Sequence, residues 1–267
     1  MKTVKILKKE FTDTKGFIEL ADTEPYFINA LRRTMMSEIP KLAIDEVIIY
    51  DNNSPLFDEI ISHRLSLIPV PTDLKLLTFR ENCTCDGAGC ANCTVRYTLS
   101  KEGEGTIYSG DLTPENKDWA IKEDKIPIVR LGKDKRIILE VEAVLGRGKQ
   151  HAKWQSVQCP GYHMYPTITF DEKQVKDIKE MIRELPAGFA ELKKNELVLR
   201  DPTTVTTLEN FIDKHNLNDA ITIKRDETHL LFHFETDGSL SAEAAFKEAI
   251  ATMLEKYDEF NKAIKKL

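Results

Sequence analysis

Four of the chain's five cysteines stand within eleven residues, as Cys83-x-Cys85-x4-Cys90-x2-Cys93. No other segment limits the possible folds so strongly. Four thiolates can close a tetrahedral shell around Zn²⁺ at about 2.3 Å each. Asp86-Gly87-Ala88-Gly89 supplies the flexible turn that brings the two pairs together. The segment has no bulky apolar residue that could hold it otherwise. A closed shell leaves no position for water, so such a site is structural. The same ligands can hold an iron–sulfur cluster, and four free or oxidised thiols are the plain alternative. CxC and CxxC pairs suit one small ion, which favours zinc. The fifth cysteine, Cys159, is alone. An odd count with four clustered, in a chain expected to be cytosolic, argues for metal before disulfides.

With 267 residues the chain can form one large domain or two smaller ones. Apolar runs such as Val47-Ile48-Ile49-Tyr50 fall far short of the ~20 residues of a membrane helix. The first eleven residues alternate Lys with apolar side chains and have no signal-peptide core, so they read as a strand. A cytoplasmic protein without membrane contact is expected. Lys and Arg number 38 against 44 Asp and Glu, a net −6. That balance argues against strong direct binding to nucleic acid, though a local basic patch remains open.

Periodicity outlines the elements. A hairpin turns at Asp13-Thr14-Lys15-Gly16 and returns through Phe17 to Leu20. Thr23 is the expected N-cap of a helix that ends before Pro40, with Phe27, Ile28, Leu31, Met35, Met36 and Ile39 on its apolar face. Ala43 to Tyr50 reads as a strand, and Ser54-Pro55 as the opening of a second helix ending near Leu67. Strands are expected at 94–99, 106–109, 126–129 and 137–145. Beyond Phe170 the pattern changes to α/β. Helices are read through Val175, Ile178, Met181, Ile182 and Leu185, and through Val205 to Ile212. Strands are read at 196–199, 221–223 and 230–234. Ser241 to Lys266 is the longest helix. Its stripe of Ala245, Phe246, Ala249, Ile250, Met253, Leu254, Tyr257, Phe260 and Ile264 is wide for a surface helix. It faces either the chain's own core or a partner.

Other candidate sites are weaker. Gly146 to Gln155 gathers Arg147, Lys149, His151, Lys153 and Trp154. This loop suits phosphate or nucleic-acid contact with stacking, or docking on another protein. It has neither a P-loop nor a GxGxxG pattern. Arg32-Arg33 and His63-Arg64 read first as the solvated faces of helices. No nucleophile–base set, GxSxG or HExxH is present. His229 and His233 fall in a strand-like segment, where i and i+4 lie about 13 Å apart. An enzyme is therefore the weaker expectation. A free-standing metal or redox protein and a zinc module that grips nucleic acid both remain open.

Phe27-Ile28-Asn29-Ala30-Leu31-Arg32-Arg33-Thr34-Met35-Met36-Ser37-Glu38-Ile39-Pro40 resembles the "NALRR" helix of the α-like subunits of DNA-directed RNA polymerases. The similarity continues through Ala43 to Val47, Leu56 to Pro69, Tyr108 to Leu112, and Gly146 to Gln155, in order along nearly the whole chain. It points to the archaeal branch, related to the third-largest subunit of eukaryotic polymerase II and to bacterial α.

The resemblance implies an α+β fold. Both chain ends, 1–45 and 225–267, would build a dimerisation domain. A mainly β domain, 46–167, would be inserted with the metal loop 83–93. A ferredoxin-like α+β domain would occupy 168–224. The resemblance also implies a non-catalytic assembly role. The chain would pair with the small α-like subunit L and carry the two large catalytic subunits, with small subunits N and P nearby. Phe27, Leu31, Met35, Phe246, Ile250, Met253 and Tyr257 would form the dimer interface. Arg32, Arg33, Arg147, Lys149, His151, Lys153 and Trp154 would meet the large subunits. The cysteine cluster would be a zinc loop. Many archaeal relatives hold an iron–sulfur cluster in the ferredoxin-like domain. The cysteine-free stretch 160–225 argues against one here.

Overall fold

The computed structural model describes residues 3–170, 184–193 and 196–266. The helix expected through Val175 to Ile182 lies outside the described residues. The chain divides into two compact units. One comprises Met1–Glu10, Phe17–Asn29 and Gly161–His233; the other comprises Phe11–Gly16, Ala30–Pro160 and Phe234–Leu267.

Strands β1 (Lys5–Phe11) and β2 (Lys15–Ala21) form the expected hairpin. Its turn closes as Thr12 N donates to Lys15 O at 2.9 Å. They belong to a six-stranded sheet in the order β1-β2-β12-β9-β11-β10. The others are β9 (Val157–Phe170), β10 (Ala190–Lys193), β11 (Glu196–Leu199) and β12 (Ile221–Thr236). Helix α3 (Val205–Lys214) buries Val205, Leu208 and Ile212. These join Ile168, Phe170, Leu197, Leu199 and Ile221 in one apolar core. The neighbour order β12-β9-β11-β10 is that of a split βαβ unit. Two short strands were expected where β12 is one strand of sixteen residues. The polar run Lys224 to Glu227 looks like a loop, yet its side chains are exposed on an extended backbone. β9 was not anticipated, because Pro160, Gly161 and Pro166 interrupt its alternation.

The other unit is organised on a four-stranded antiparallel sheet, β3-β8-β4-β6. Its strands are β3 (Pro40–Asn52), β4 (Thr94–Glu102), β6 (Thr113–Pro114) and β8 (Arg136–Arg147). A ribbon of β5 (Gly105–Tyr108) and β7 (Pro127–Leu131) accompanies it. Alternate residues of β8 (Ile137, Leu139 and Val141) turn to a core shared with Leu42, Ile44, Ile61, Leu65, Tyr97 and Leu99. Helix α2 (Asp58–Ser66) supplies Ile61 and Leu65. It starts later than Ser54-Pro55 predicts. Ser54 instead sits in a turn tied by Asn52, whose Nδ2 donates to Leu56 O at 3.0 Å.

Helix α1 (Pro25–Ser37) begins with proline in its first turn. Thr23 does not cap it. Its hydroxyl has no hydrogen-bond partner among the described residues, and the first turn closes from Phe27 N to Glu24 O at 3.0 Å. Ile28, Leu31, Met35 and Ile39 are buried. The last helix, α4 (Ala242–Ile264), is capped by Ser241, whose Oγ accepts from Ala244 N. Its first turns pack Phe246 against Phe11 and Phe234, with ring centroids 5.9 and 6.4 Å away. No described helix is long and apolar enough to cross a membrane.

Candidate functional site

The cysteine segment leaves β4 at its N-terminal end and folds into successive tight turns. Asp86 N donates to Cys83 O, Ala88 N to Cys85 O, and Cys93 N to Cys90 O. Asp86, Gly87 and Gly89 take positive φ angles of 51°, 82° and 83°. Glycine adopts that conformation at low cost, which explains two of the three residues chosen. The turns bring all four sulfurs within 4.8 Å of one another. Cys83 and Cys90 lie 3.5 Å apart, Cys85 and Cys93 3.6 Å, and Cys90 and Cys93 4.0 Å. Sulfurs bound to one ion at ~2.3 Å in a tetrahedron stand about 3.8 Å apart. A disulfide would need about 2.05 Å. The geometry is therefore that of a four-thiolate pocket, and its donor set fits a closed Zn²⁺ site.

The thiols share protons unevenly. The Cys85 thiol is drawn down to about 6, chiefly by a hydrogen bond from Cys83 and then by backbone N–H groups of Gly89 and Cys90. For Cys90 a backbone hydrogen bond at Asn92 pulls downward, but hydrogen bonds with the neighbouring cysteines and burial prevail and raise it to about 11. Cys93 Sγ also lies 3.6 Å from Thr94 Oγ1, at the start of β4. Two arginines that sequence reasoning passed over reach this loop. Arg80 Nε donates to Gly87 O at 3.0 Å, and Arg96 Nη2 to Gly89 O at 3.4 Å. Only the short separation from the cysteines could have signalled them.

The basic loop is spent largely inside this chain. Lys153 is buried, pairs with Asp45, and sits 4.3 Å from the centre of the Trp154 ring. Trp154 Nε1 donates to Val144 O at 3.1 Å. Its ring lies flat on Gly146, where a Cβ would come within 2.3 Å of it. Gly148 is just as close to the backbone of Met36. Arg147 lies over the Phe79 ring at 4.9 Å. Glu38 collects Lys256 at 2.8 Å and Lys149 at 3.3 Å. Burial pushes the Glu38 carboxyl up, but the two lysines outweigh it and hold it below the usual range. These contacts lock the end of α1 to the loop and to α4. Arg33, Lys149 and His151 keep exposed surface. Arg32 contacts Met36, its Nη1 lying 3.4 Å from Sδ.

The residues expected at a dimer interface divide. Leu31 and Met35 are each 1% exposed and belong to the chain's own core. Met253 is buried as well, and Phe246, Ile250 and Phe27 are half-buried. Tyr257 is 54% exposed, and so are Leu254 at 60%, Phe260 at 63% and Ile264 at 49%. Those last three lie on the same stripe as the expected interface residues. The stripe itself was the available signal.

Residues 46–164 match the family model described as the RNA polymerase Rpb3/RpoA insert domain. The span covers the four-stranded sheet from Glu46 of β3 onward, together with the cysteine loop and the basic loop. Over nearly its full length the chain is similar to proteins named DNA-directed RNA polymerase subunit Rpo3. It is 36% identical to that of Thermoplasma volcanium, over 95% of this chain and 96% of the relative. It is 36% identical to that of Methanosphaera stadtmanae, over 94% of each. It is 30% identical to that of Archaeoglobus fulgidus, over 100% and 99%. The chain belongs to the Rpo3 family of DNA-directed RNA polymerase subunits.

Proposed function

We propose that this chain is the platform on which the polymerase assembles. It pairs with the small α-like subunit L, and the pair receives the two large catalytic subunits, with N and P alongside. The chain is a non-catalytic part of the complex. The observation that carries the reading is the outer half of α4, where Leu254, Tyr257, Phe260 and Ile264 recur three or four residues apart and are exposed. An apolar helical stripe of this kind is stabilised by burial against a partner helix. Phe246 and Ile250 continue it toward the N-terminal end of α4 as half-buried residues. The dimerisation domain comprises 1–45 and 225–267, the inserted domain 46–167, and the ferredoxin-like domain 168–224. Arg33 and Lys149 offer exposed cationic groups for the large subunits with His151 exposed beside Lys149 on the loop, while Lys153, Trp154 and Arg147 shape the loop from within. The complex works in the cytoplasm.

Cys83, Cys85, Cys90 and Cys93 would hold one structural Zn²⁺. The ion supplies cross-linking of the loop and no reaction step. Co-expression with the small α-like subunit, followed by size-exclusion chromatography with light scattering and metal analysis, tests both parts. A 1:1 complex with one zinc per chain is expected. A monomer that ignores its partner would overturn the platform reading. Cys90→Ser should abolish zinc uptake and loosen residues 80–95 alone in hydrogen exchange; unchanged metal content would overturn the four-thiolate site.

A further inference from the structure

The sheet beneath the cysteine loop carries an electrostatic problem and its solution. Glu46 of β3 stands directly opposite Glu142 of β8. Like charges opposite one another destabilise an antiparallel pair unless cations intervene. Arg80 Nη1 lies 3.5 Å from Glu46 Oε1 and 3.4 Å from Glu142 Oε2. On the other flank Arg96 of β4 is the register partner of Glu142. Its Nε donates to Glu142 Oε1 at 2.8 Å. Two guanidiniums thus balance two carboxylates, and Glu142, itself buried, is held between them. A planar fork can satisfy this geometry and still have donors left over.

The spare donors go to one place. Arg80 holds the Gly87 carbonyl and Arg96 the Gly89 carbonyl, both in the turn joining Cys85 to Cys90. A side chain on Gly89 would come within 2.9 Å of Arg80 Nη2. The missing Cβ is what lets the guanidinium lie against the turn. The clamp therefore ties the metal loop to three strands of the inserted sheet through charge-assisted hydrogen bonds.

We propose that Arg80 and Arg96, anchored by Glu142, are positioning residues that set the metal affinity of the four-cysteine site. The proposal rests on the metal reading above. Two physical effects act together. Four thiolates with one divalent ion carry a net charge of −2, which nearby guanidiniums stabilise. The turn is also held closed before the ion arrives, so less chain ordering opposes binding.

The test uses the full chain. Zn²⁺ affinity is measured by competition with a chromophoric chelator, and Co²⁺ substitution reports the thiolate-to-metal charge-transfer bands. Arg80→Gln should weaken Zn²⁺ binding about 10- to 100-fold, the range seen when outer-shell partners of metal ligands are removed. The Co²⁺ bands should weaken with it. Glu142→Gln leaves both arginines in place without their anchor but also removes a negative charge near the site, so it should weaken Zn²⁺ binding less than Arg80→Gln does. Arg80→Lys restores the charge but not the fork, and should recover only part of the loss. Wild-type affinity and an unchanged Co²⁺ spectrum in both Arg80→Gln and Glu142→Gln would overturn the clamp while leaving the metal site standing. A wild-type chain that takes up neither ion would remove the metal site and the clamp together.

Discussion

The two halves of α4 carry one continuous apolar stripe and meet opposite fates. From Ala242 to Met253 the stripe is covered, with Ala242, Ala245 and Ala249 fully buried and Phe246 against Phe11 and Phe234. From Leu254 onward every described residue is exposed. The fully buried positions of the inner half are small alanines, which allow close approach of the chain's own elements, with Phe246, Ile250 and Met253 packed beside them. The outer half carries large ones, Leu254, Tyr257, Phe260 and Ile264, and the chain covers none of them. Fully burying one such side chain is worth about 1.5–3 kcal/mol. On the proposed reading, the four would be buried together in the pairing with the small α-like subunit. One helix thus anchors in the fold with one half and presents an uncovered apolar stripe with the other.

Mutations separate these roles. The largest effect is expected in the inner half. Ala249→Asp places a charge where no solvent reaches, and should cost more than about 4 kcal/mol, enough to unfold the chain in a thermal melt. A melt unchanged from wild type would mean that the inner half is not core. Leu31→Asp belongs with it, because Leu31 is also buried and would test the fold before any pairing. In the outer half, Tyr257→Asp with Phe260→Asp should leave the melting of the isolated chain within about 0.5 kcal/mol of wild type per site. The same pair should abolish the complex with the small α-like subunit in light scattering. Intact pairing would break the comparison at its second limb.

The smallest effect concerns the joint between the halves, where Lys256 reaches back to Glu38. Glu38→Gln should cost about 0.5–1 kcal/mol, as partly exposed ion pairs do. The sign of its pH dependence follows from its lowered folded value. Its contribution is complete above the unfolded value near 4.5 and fades as pH falls through the folded one. Acid titration of wild type and variant should therefore converge at low pH. Curves that stay parallel below the carboxylate range would rule out this cross-link.

Much of the architecture was legible in the chain. The hairpin, α1, β3, β8 and α4 follow from periodicity, because each has one apolar face and clean stop signals. The cysteine spacing pointed to a shared metal pocket, since four thiols in eleven residues have few other ways to coexist. Harder to read were segments whose local chemistry opposes their final state. β9 contains two prolines and a glycine, and Cys159 within it has a φ of 47°. β12 runs through Lys224-Arg225-Asp226-Glu227 without a break. In both, ladder hydrogen bonds with distant strands override a local preference for turns.

The residues by themselves determined which faces are apolar, which segments are helical or extended, and which side chains can bind a metal. These properties are set by neighbours a few positions away. Only the tertiary structure decided what covers each face. It turned Lys153 and Trp154 inward, and it buried Leu31 and Met35 while leaving Tyr257 and Phe260 in solvent. It also brought Arg80 and Arg96 to the cysteine turn. Burial and ion pairing depend on groups far apart in sequence, and no local pattern encodes those distances.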